Sequence, residues 1–146
     1  MVIRAGTPDD YPRLVAVWLS SVRATHHFLT ERRIADLSPL IANHYLPMLT
    51  VWVAQDDSGQ IGGFIGMSAN KVEMLFVAAE QRGNGIGKTL LAFVEQQYDV
   101  LLLDVNEQNP QARAFYQHYG FRVIGRSGRD GQGEPFPLLH MRREAP

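Results

Sequence analysis

The chain contains no cysteine, and only two of its 146 residues are lysine, Lys71 and Lys88. The lack of cysteine excludes disulfides, thiolate zinc ligands and a cysteine nucleophile. Neither sign of charge is in excess, because 14 lysine and arginine residues stand against 15 aspartate and glutamate residues, for a net charge of −1. A broad basic surface of the kind that binds nucleic acid is therefore not expected.

Long apolar runs are also missing from the sequence. No stretch approaches the roughly 20 apolar residues that cross a membrane, and the first residues, MVIRAGTPDD, lack the basic start and apolar run of a signal peptide. We therefore expect no membrane contact and a cytoplasmic location. The length and a hydrophobic content of 45% suit one buried core, so residues 1–146 are expected to form a single domain.

Three glycines occupy alternate positions in one loop, QRGNGIGKT, which runs from Gln81 to Thr89. The loop follows VEMLFV, which predicts a buried strand, and precedes IGKTLLAFVEQQY, whose apolar residues recur at helical spacing. Backbone N–H groups at a helix start lack intrahelical partners, and glycine lets a ligand approach the main chain closely. The loop is therefore predicted to bind a phosphate or pyrophosphate group at the helix N-terminus.

Two common phosphate-binding motifs do not match this loop. A P-loop needs a glycine five positions before Gly87, where the chain has Arg82. The dinucleotide-binding motif spaces its glycines as G-x-G-x-x-G, whereas Gly83, Gly85 and Gly87 are spaced as G-x-G-x-G. A glycine-rich turn without a ligand is the remaining alternative, although three alternating glycines lose more backbone entropy than a turn requires.

The rest of the sequence predicts a mixture of strands and helices. VIRAG predicts a first strand, Thr7 caps the following helix, and a helical stretch from Thr30 to Tyr45 is interrupted at Ser38–Pro39. TVWVAQ, IGGFIGMSA and VLLLDVN predict further strands, and two strands around FRVIG and PLLHMRR end the chain. Hairpins at both ends, together with strands before and after helices, predict a mixed α/β sheet rather than a uniformly parallel one.

Arg82 to Gly87, RGNGIG, resembles the R/Q-x-x-G-x-G/A signature of the GCN5-related N-acetyltransferases. A second block, VNEQNPQARAFYQHYGF from Val105 to Phe121, resembles a later segment of that family, and the resemblance covers nearly the whole chain. It implies a single-domain fold whose mixed sheet of about six to seven strands is flanked by helices and splayed between the fourth and fifth strands. It also implies transfer of an acetyl group from acetyl-CoA to a primary amine by direct attack in a ternary complex, without a metal.

The resemblance implies which residues bind acetyl-CoA. Backbone groups of the glycine loop would bind its pyrophosphate, and main-chain groups of Leu75 and Val77 would pair with its pantetheine as an additional strand would. Asn106 and Asn109 would contact pantetheine, and Asn109 would also cap the helix that starts at Pro110. The expected cofactor-binding residues are Leu75, Phe76, Val77, Arg82, Gly83, Asn84, Gly85, Ile86, Gly87, Lys88, Thr89, Asn106, Asn109 and Tyr116.

Three residues are expected to take part in the chemistry. Tyr116 corresponds to the family's tyrosine that protonates the departing thiolate, and an ordinary pKa of about 10 keeps a tyrosine protonated for this role. The backbone N–H of Leu75 would donate a hydrogen bond to the oxygen on which negative charge develops. Glu73 would take a proton from the acceptor ammonium, and strand alternation would place its side chain on the same face as that of Leu75.

No motif identifies the acceptor amine. Its pocket is expected near His26, His27 and Phe28, and the two histidines are alternative proton acceptors to Glu73. A small-molecule amine, a protein lysine and a protein N-terminus all stay open as acceptors, as do a monomer and a homodimer. The histidines show no spacing typical of a metal site.

Two other functions are compatible with the sequence. A nucleotide-hydrolysing protein is suggested by GKT in the glycine loop and by Asp104, which resembles a magnesium-binding aspartate. A non-catalytic sensor of acetyl-CoA is the second alternative, although Tyr116 together with the complete glycine loop favours catalysis.

Overall fold

A computed structural model describes residues 1–25 and 29–145 of the chain. The α-helices in this part are α1 (Tyr11–Thr25), α2 (Glu31–Leu40), α3 (Ile86–Glu95) and α4 (Pro110–Tyr119). The strands are β1 (Val2–Ala5), β2 (Thr50–Gln55), β3 (Ile61–Ser68), β4 (Lys71–Val77), β5 (Val100–Asn106), β6 (Arg122–Ser127) and β7 (Leu138–Glu144). Short 3₁₀ turns occupy Pro8–Asp10, Leu46–Met48 and Ala79–Gln81, and a π-helical segment occupies Ile41–Tyr45.

The strands form one sheet in the order β1-β2-β3-β4-β5-β7-β6. Neighbouring strands are antiparallel except β4 and β5, which are parallel. The mixed α/β sheet flanked by helices that the sequence predicts is therefore confirmed. β5 covers VLLLDVN as predicted, and β6 and β7 flank the loop of residues 128–137.

Glycines in β3 control how closely its neighbours pack against the sheet. A Cβ atom at Gly63 would lie 2.7 Å from Cγ2 of Ile86, and one at Gly66 would lie 2.8 Å from Cδ1 of Leu49. Because a real Cβ atom cannot approach so closely, glycine is what lets the first turn of α3 rest directly on the strand. Gly63 also pairs with Val77, so this contact fixes the start of α3 beside the end of β4.

Two apolar clusters cover the two faces of the sheet. On the face that we call the α3 face, Leu90 and Leu91 of α3 are fully buried against strand residues such as Leu103. On the opposite face, called the α1 face, Leu14 of α1 packs in a cluster with Phe64. The sheet therefore separates two apolar cores.

The helical stretch predicted from Thr30 to Tyr45 is confirmed, but Pro39 does not interrupt it. Thr30 caps α2 by accepting the N–H of Arg33 at 3.1 Å, and α2 continues through Pro39 to Leu40 before the π-helical segment follows. The π-helical segment ends at Tyr45, whose hydroxyl accepts a hydrogen bond from Gln132 in the loop between β6 and β7. The predicted cap at Thr7 is also confirmed, and Thr7 N–H donates to the Asp10 carboxylate at 2.8 Å.

Across the described ranges, none of the helices combines the length and the apolar character that spanning a membrane requires.

Candidate active site

The sheet opens between β4 and β5. These parallel strands pair only at Lys71 with Leu102 and at Val72 with Leu103. Beyond this point β4 stays paired with β3 as far as Val77, and β5 stays paired with β7 as far as Asn106. The two halves of the sheet therefore diverge, and the splay expected between the fourth and fifth strands is confirmed.

The backbone of β4 presents unpaired polar groups to this gap. In an antiparallel pair, the N–H and C=O groups of alternate residues point toward the partner strand and those between them point away. Ala78, directly after β4, donates its N–H to Gly62 O at 2.9 Å, so Phe76 and Met74 also point toward β3. It follows that the backbone N–H and C=O groups of Leu75 and Val77 point into the gap.

The glycine loop lies at the open end of the gap. Gly83 and Gly85 have φ values of 85° and 77°, in the left-handed region that favours glycine, and Gly85 is the cap of α3. A Cβ atom at either position would meet no protein atom within 4 Å. The N–H groups of Ile86, Gly87 and Lys88 begin α3 and have no intrahelical acceptor, which is the arrangement that suits an anion at a helix N-terminus.

A cleft of about 450 Å³ joins the gap to the glycine loop. The end of β4, the start of α3 and α4 form three of its walls, and α1 borders it through Ser21 and Thr25. The lining residues are Ser21, Thr25, Leu75, Phe76, Val77, Gln81, Arg82, Gly83, Gly85, Ile86, Gly87, Lys88, Asn109, Gln111, Ala112, Phe115 and Tyr116.

A second cavity of about 500 Å³ lies on the α1 face. Its walls come from α1, α2, the π-helical segment and the loop between β6 and β7. The lining residues are Trp18, Val22, Leu29, Arg33, Leu37, Tyr45, Phe76, Asn106, Asp130, Gly131, Gln132, Phe136 and Leu138. Phe76 lines both this cavity and the cleft, so the two spaces meet at the splayed strand.

Comparisons with known proteins agree with this geometry. The family model described as the acetyltransferase (GNAT) domain matches residues 37–145. The chain belongs to the GNAT family of acetyltransferases. It is 39% identical over 139 residues to the peptidyl-lysine N-acetyltransferase YjaB of Salmonella typhimurium, covering 95% of each chain. It is also 32% identical to the peptidyl-lysine N-acetyltransferase YiaC of Escherichia coli, covering 84% of each chain.

The acetyltransferase also has the fold of a solved relative. Its structure matches the solution structure of apo YjaB from Escherichia coli with a TM-score of 0.91, at 37% identity and over 100% of both chains. Membership of an acetyl-CoA-dependent family decides against the nucleotide-hydrolysing alternative and favours an enzyme over a sensor. Asp104, which suggested magnesium binding, forms an ion pair with Lys71 at 2.9 Å and contacts His140 at 2.6 Å.

Tyr116 of the acetyltransferase borders the cleft from α4. Its ring packs edge-on against Phe115 and Phe121, with centroids 5.2 and 5.6 Å away. Burial of the phenol among these apolar groups raises the pKa of Tyr116 well above its ordinary value. The hydroxyl therefore stays protonated at neutral pH, which is the state that a proton donor to a thiolate requires.

The asparagines expected at the cofactor lie in different places. Asn109 is buried beside the cleft, and its side chain accepts the N–H of Ala112 at 3.1 Å, which confirms it as the cap of α4. Asn106 lines the second cavity instead of the cleft, and its Oδ1 accepts the N–H of Gln108 at 3.1 Å. Asn84 does not line the cleft and donates to Gln81 at 3.2 Å.

Thr89 and Glu73 do not line the cleft either. The Thr89 hydroxyl donates to the carbonyl oxygen of Gly85 at 2.8 Å, so it stabilises the glycine turn from within α3.

The expectation that Glu73 and Leu75 share a face of the sheet is wrong, because β4 contains a bulge. Its register against β3 shifts at Glu73, so Val72 packs on the α3 face and Met74 on the α1 face. Glu73 consequently lies on the α1 face, with its carboxylate 3.7 Å from Lys71 Nζ.

Sequence reasoning missed five polar or aromatic residues of the cleft, Ser21, Thr25, Gln81, Gln111 and Phe115. Ser21 and Thr25 are separated by one turn on the buried side of α1, and small polar residues on an otherwise apolar stripe were the available signal. Gln111 and Phe115 are likewise one turn apart on α4, on the side that carries Tyr116.

His26, His27 and Phe28, expected at the acceptor pocket, lie outside the described residues. Among residues 1–25 and 29–145, no three histidine, aspartate or glutamate side chains are grouped so that they could hold a metal ion.

Replacing Gly85 by alanine tests the glycine loop. The new methyl group would project into space that no protein atom occupies and that a bound pyrophosphate would fill. We expect the Kd for coenzyme A, measured by calorimetry, to rise at least about tenfold. The backbone N–H donors are fixed, so they would hold the pyrophosphate against the added methyl group.

Gly59→Ala is the matched control for this variant. Gly59 lies in the turn between β2 and β3 with a φ of 87°, and a Cβ atom there also meets nothing within 4 Å. Both variants force alanine into the left-handed region and should lose roughly 1–2 kcal/mol of stability. Equal Kd values for the two variants would show that the loop does not bind coenzyme A.

Proposed function

We propose that this GNAT enzyme transfers the acetyl group of acetyl-CoA to the side-chain amine of a lysine residue in a protein. The reaction would proceed by direct attack of the amine in a ternary complex, with the whole chain acting as one N-acetyltransferase domain. The observation that carries the proposal is the meeting of two cavities at the splayed strand β4.

The arrangement of the two cavities supports direct transfer. The cleft holds the glycine loop and Tyr116 on one side of Phe76, and the second cavity reaches Phe76 from the α1 face. Two substrates that enter from opposite sides could therefore bring their reacting atoms together at β4 without a covalent intermediate on the enzyme. Holding two reactants in this way supplies much of the rate enhancement of a bimolecular reaction.

The chemistry of the second cavity supports a lysine side chain as acceptor. Apolar side chains from α1, α2 and the neighbouring strands form most of its wall, among them Trp18, Leu37 and Leu138. Such a wall suits the four-carbon stem of lysine, which commonly packs along apolar surface. The relatives YjaB and YiaC are named peptidyl-lysine N-acetyltransferases, which supports the same acceptor class.

The residues of the cleft fit acetyl-CoA, which supplies the thioester that donates the acetyl group. The backbone N–H groups at the start of α3 would bind the pyrophosphate, and the open space beside Gly83 and Gly85 leaves room for it. Leu75 and Val77 would pair through their free backbone groups with the amides of pantetheine. The negatively charged pyrophosphate would therefore lie at the start of α3, and the amides of pantetheine would lie along the open edge of β4.

Three groups of the chain would perform the chemistry. The N–H of Leu75 is fixed in the gap and would donate to the carbonyl oxygen as negative charge develops on it. Glu73, on the same face as the second cavity, would accept the proton of the entering ammonium. The hydroxyl of Tyr116 would give a proton to the leaving thiolate. The acceptor nitrogen loses two protons in all, one to Glu73 before attack and one that restores the Tyr116 hydroxyl as the intermediate collapses, so each cycle releases one proton to solvent.

An acceptor screen tests the proposed function. The enzyme is incubated with acetyl-CoA and either lysine-containing peptides, peptides whose only amine is the N-terminus, a polyamine or an aminoglycoside, and release of coenzyme A is measured. We expect turnover with lysine peptides and acetylation of the lysine Nζ by mass spectrometry. Turnover only with a small amine would show that the acceptor is that amine and not a protein lysine. Coenzyme A binding without turnover would indicate a sensor.

Replacement of Tyr116 by phenylalanine tests the proton donor. The ring and its contacts with Phe115 and Phe121 are kept, and only the hydroxyl is lost. The kcat with a lysine peptide should fall by roughly 10² to 10⁴, and the Kd for acetyl-CoA should stay near the parent value.

Tyr119→Phe is the control for this variant on the same helix. The Tyr119 hydroxyl donates to Glu95 at 2.9 Å and does not line the cleft, so its loss should lower stability slightly and leave kcat unchanged. Full activity of Tyr116→Phe would remove the role of Tyr116 without affecting the assignment of the glycine loop.

The pH dependence of Glu73→Gln tests the proton acceptor. An alkylammonium with a pKa of about 10.4 is almost fully charged at pH 7 and must lose a proton before it attacks. Loss of the Glu73 carboxylate should therefore reduce the rate most below pH 8. Raising the pH should partly restore the rate, because more of the amine is then neutral. Glu144→Gln, in an exposed ion pair at the end of β7, is the control. Identical pH–rate profiles of Glu73→Gln and parent would show that another group, such as His26 or His27, accepts the proton of the ammonium.

A further inference from the structure

A row of polar side chains crosses four strands on the α1 face. Ser127 of β6 contacts His140 Nε2 at 2.6 Å, and His140 Nδ1 contacts Asp104 Oδ1 at 2.6 Å. The other carboxylate oxygen of Asp104 lies 2.9 Å from Lys71 Nζ. We call these four residues the polar row. It connects β6, β7, β5 and β4 in the order in which they lie in the sheet.

The polar row stands at the point where the sheet divides. Val72 and Leu103 form the last backbone pair between β4 and β5, and Asp104 is the next residue of β5. Lys71 belongs to the first pair, so its side chain reaches diagonally across the end of the paired region. The ion pair of Lys71 and Asp104 thus joins the two halves of the sheet where backbone hydrogen bonds stop joining them.

The electrostatics of the row favour a persistent ion pair. Burial of the Asp104 carboxyl opposes its ionisation, but hydrogen bonds from His140 and Lys71 outweigh burial and lower the pKa of Asp104. The hydrogen bond to Asp104 raises the pKa of Lys71 against the opposing effect of burial. Both side chains are therefore charged at neutral pH. Removing Asp104 would leave Lys71 with the more distant carboxylate of Glu73 at 3.7 Å, and removing Lys71 would leave Asp104 with His140 at 2.6 Å.

We propose that the ion pair of Lys71 and Asp104 sets the separation of β4 and β5 and thereby positions the backbone of Leu75 and Val77 for coenzyme A. This inference rests on the proposed function, because it gives the gap the role of binding the cofactor. Lys71 and Asp104 are positioning residues, since they act through the backbone of β4. His140 holds Asp104 from the other side, in register with it on β7.

A different role for the row is a serine nucleophile, because Ser127, His140 and Asp104 follow the order of a hydrolase triad. A triad needs its serine in a substrate pocket beside oxyanion donors. None of the three side chains lines the cleft or the second cavity. Their position where β4 and β5 separate therefore favours a role in setting the geometry of the sheet.

Coenzyme A binding by four variants and one control tests the proposal. Lys71→Met and Asp104→Asn each remove one charge, and the double variant removes both. Each single variant should raise the Kd for coenzyme A about tenfold, and the double variant should bind no more than about twofold more weakly than the single ones. Lys71→Arg keeps the cation and should stay within about threefold of the parent.

Arg122→Gln is the control, because it removes an ion pair with Glu144 that joins β6 to β7 away from the gap. It should leave the Kd unchanged at a temperature where all variants are folded, whatever its effect on Tm. Parent-like Kd values for Lys71→Met and Asp104→Asn, or an approximately 100-fold multiplicative loss in the double variant, would overturn the proposal. A parent that does not bind coenzyme A would overturn the proposed function itself.

Discussion

The early end of backbone pairing between β4 and β5 is the constraint on which the rest of the site depends. Buried or half-buried backbone N–H and C=O groups need hydrogen-bond partners, and β4 loses one row of partners after Val72. The groups at Leu75 and Val77 must then be satisfied by water or by a ligand with its own amides. The open edge of β4 therefore has the backbone groups with which an extended, amide-containing chain such as pantetheine would pair.

Packing on the α3 face connects this open strand edge to the glycine turn that begins α3. Gly63 lets Ile86 rest on β3 opposite the end of β4, so the glycine turn and the open edge of β4 are held at a fixed separation. Ile86 is also the first residue of α3, immediately after the left-handed Gly85. A single apolar contact thus positions the glycine turn relative to the open strand edge, the two groups of backbone donors that we propose for the pyrophosphate and the pantetheine of acetyl-CoA.

The parts of the site that depend on local sequence could be predicted, and those that depend on pairing between distant segments could not. The loop of Gly83 and Gly85 needs left-handed backbone, and the cap at Asn109 needs only its own helix, so both were readable from short segments. The bulge at Glu73 is invisible in VEMLFV, because it exists only in the register against β3. The part of the second cavity's wall that Tyr45 and Gln132 form likewise joins residues 87 positions apart in the chain.

Amide hydrogen exchange along β4, with and without acetyl-CoA, tests the central claim most directly. Met74 and Phe76 donate toward β3 and should be protected in both states, whereas Leu75 and Val77 should exchange rapidly in the free protein. Saturating acetyl-CoA should slow exchange at Leu75 and Val77 specifically, because their N–H groups would gain acceptors on the ligand. Unchanged exchange at both residues under saturation would contradict the assignment of the open strand edge as the cofactor-binding surface.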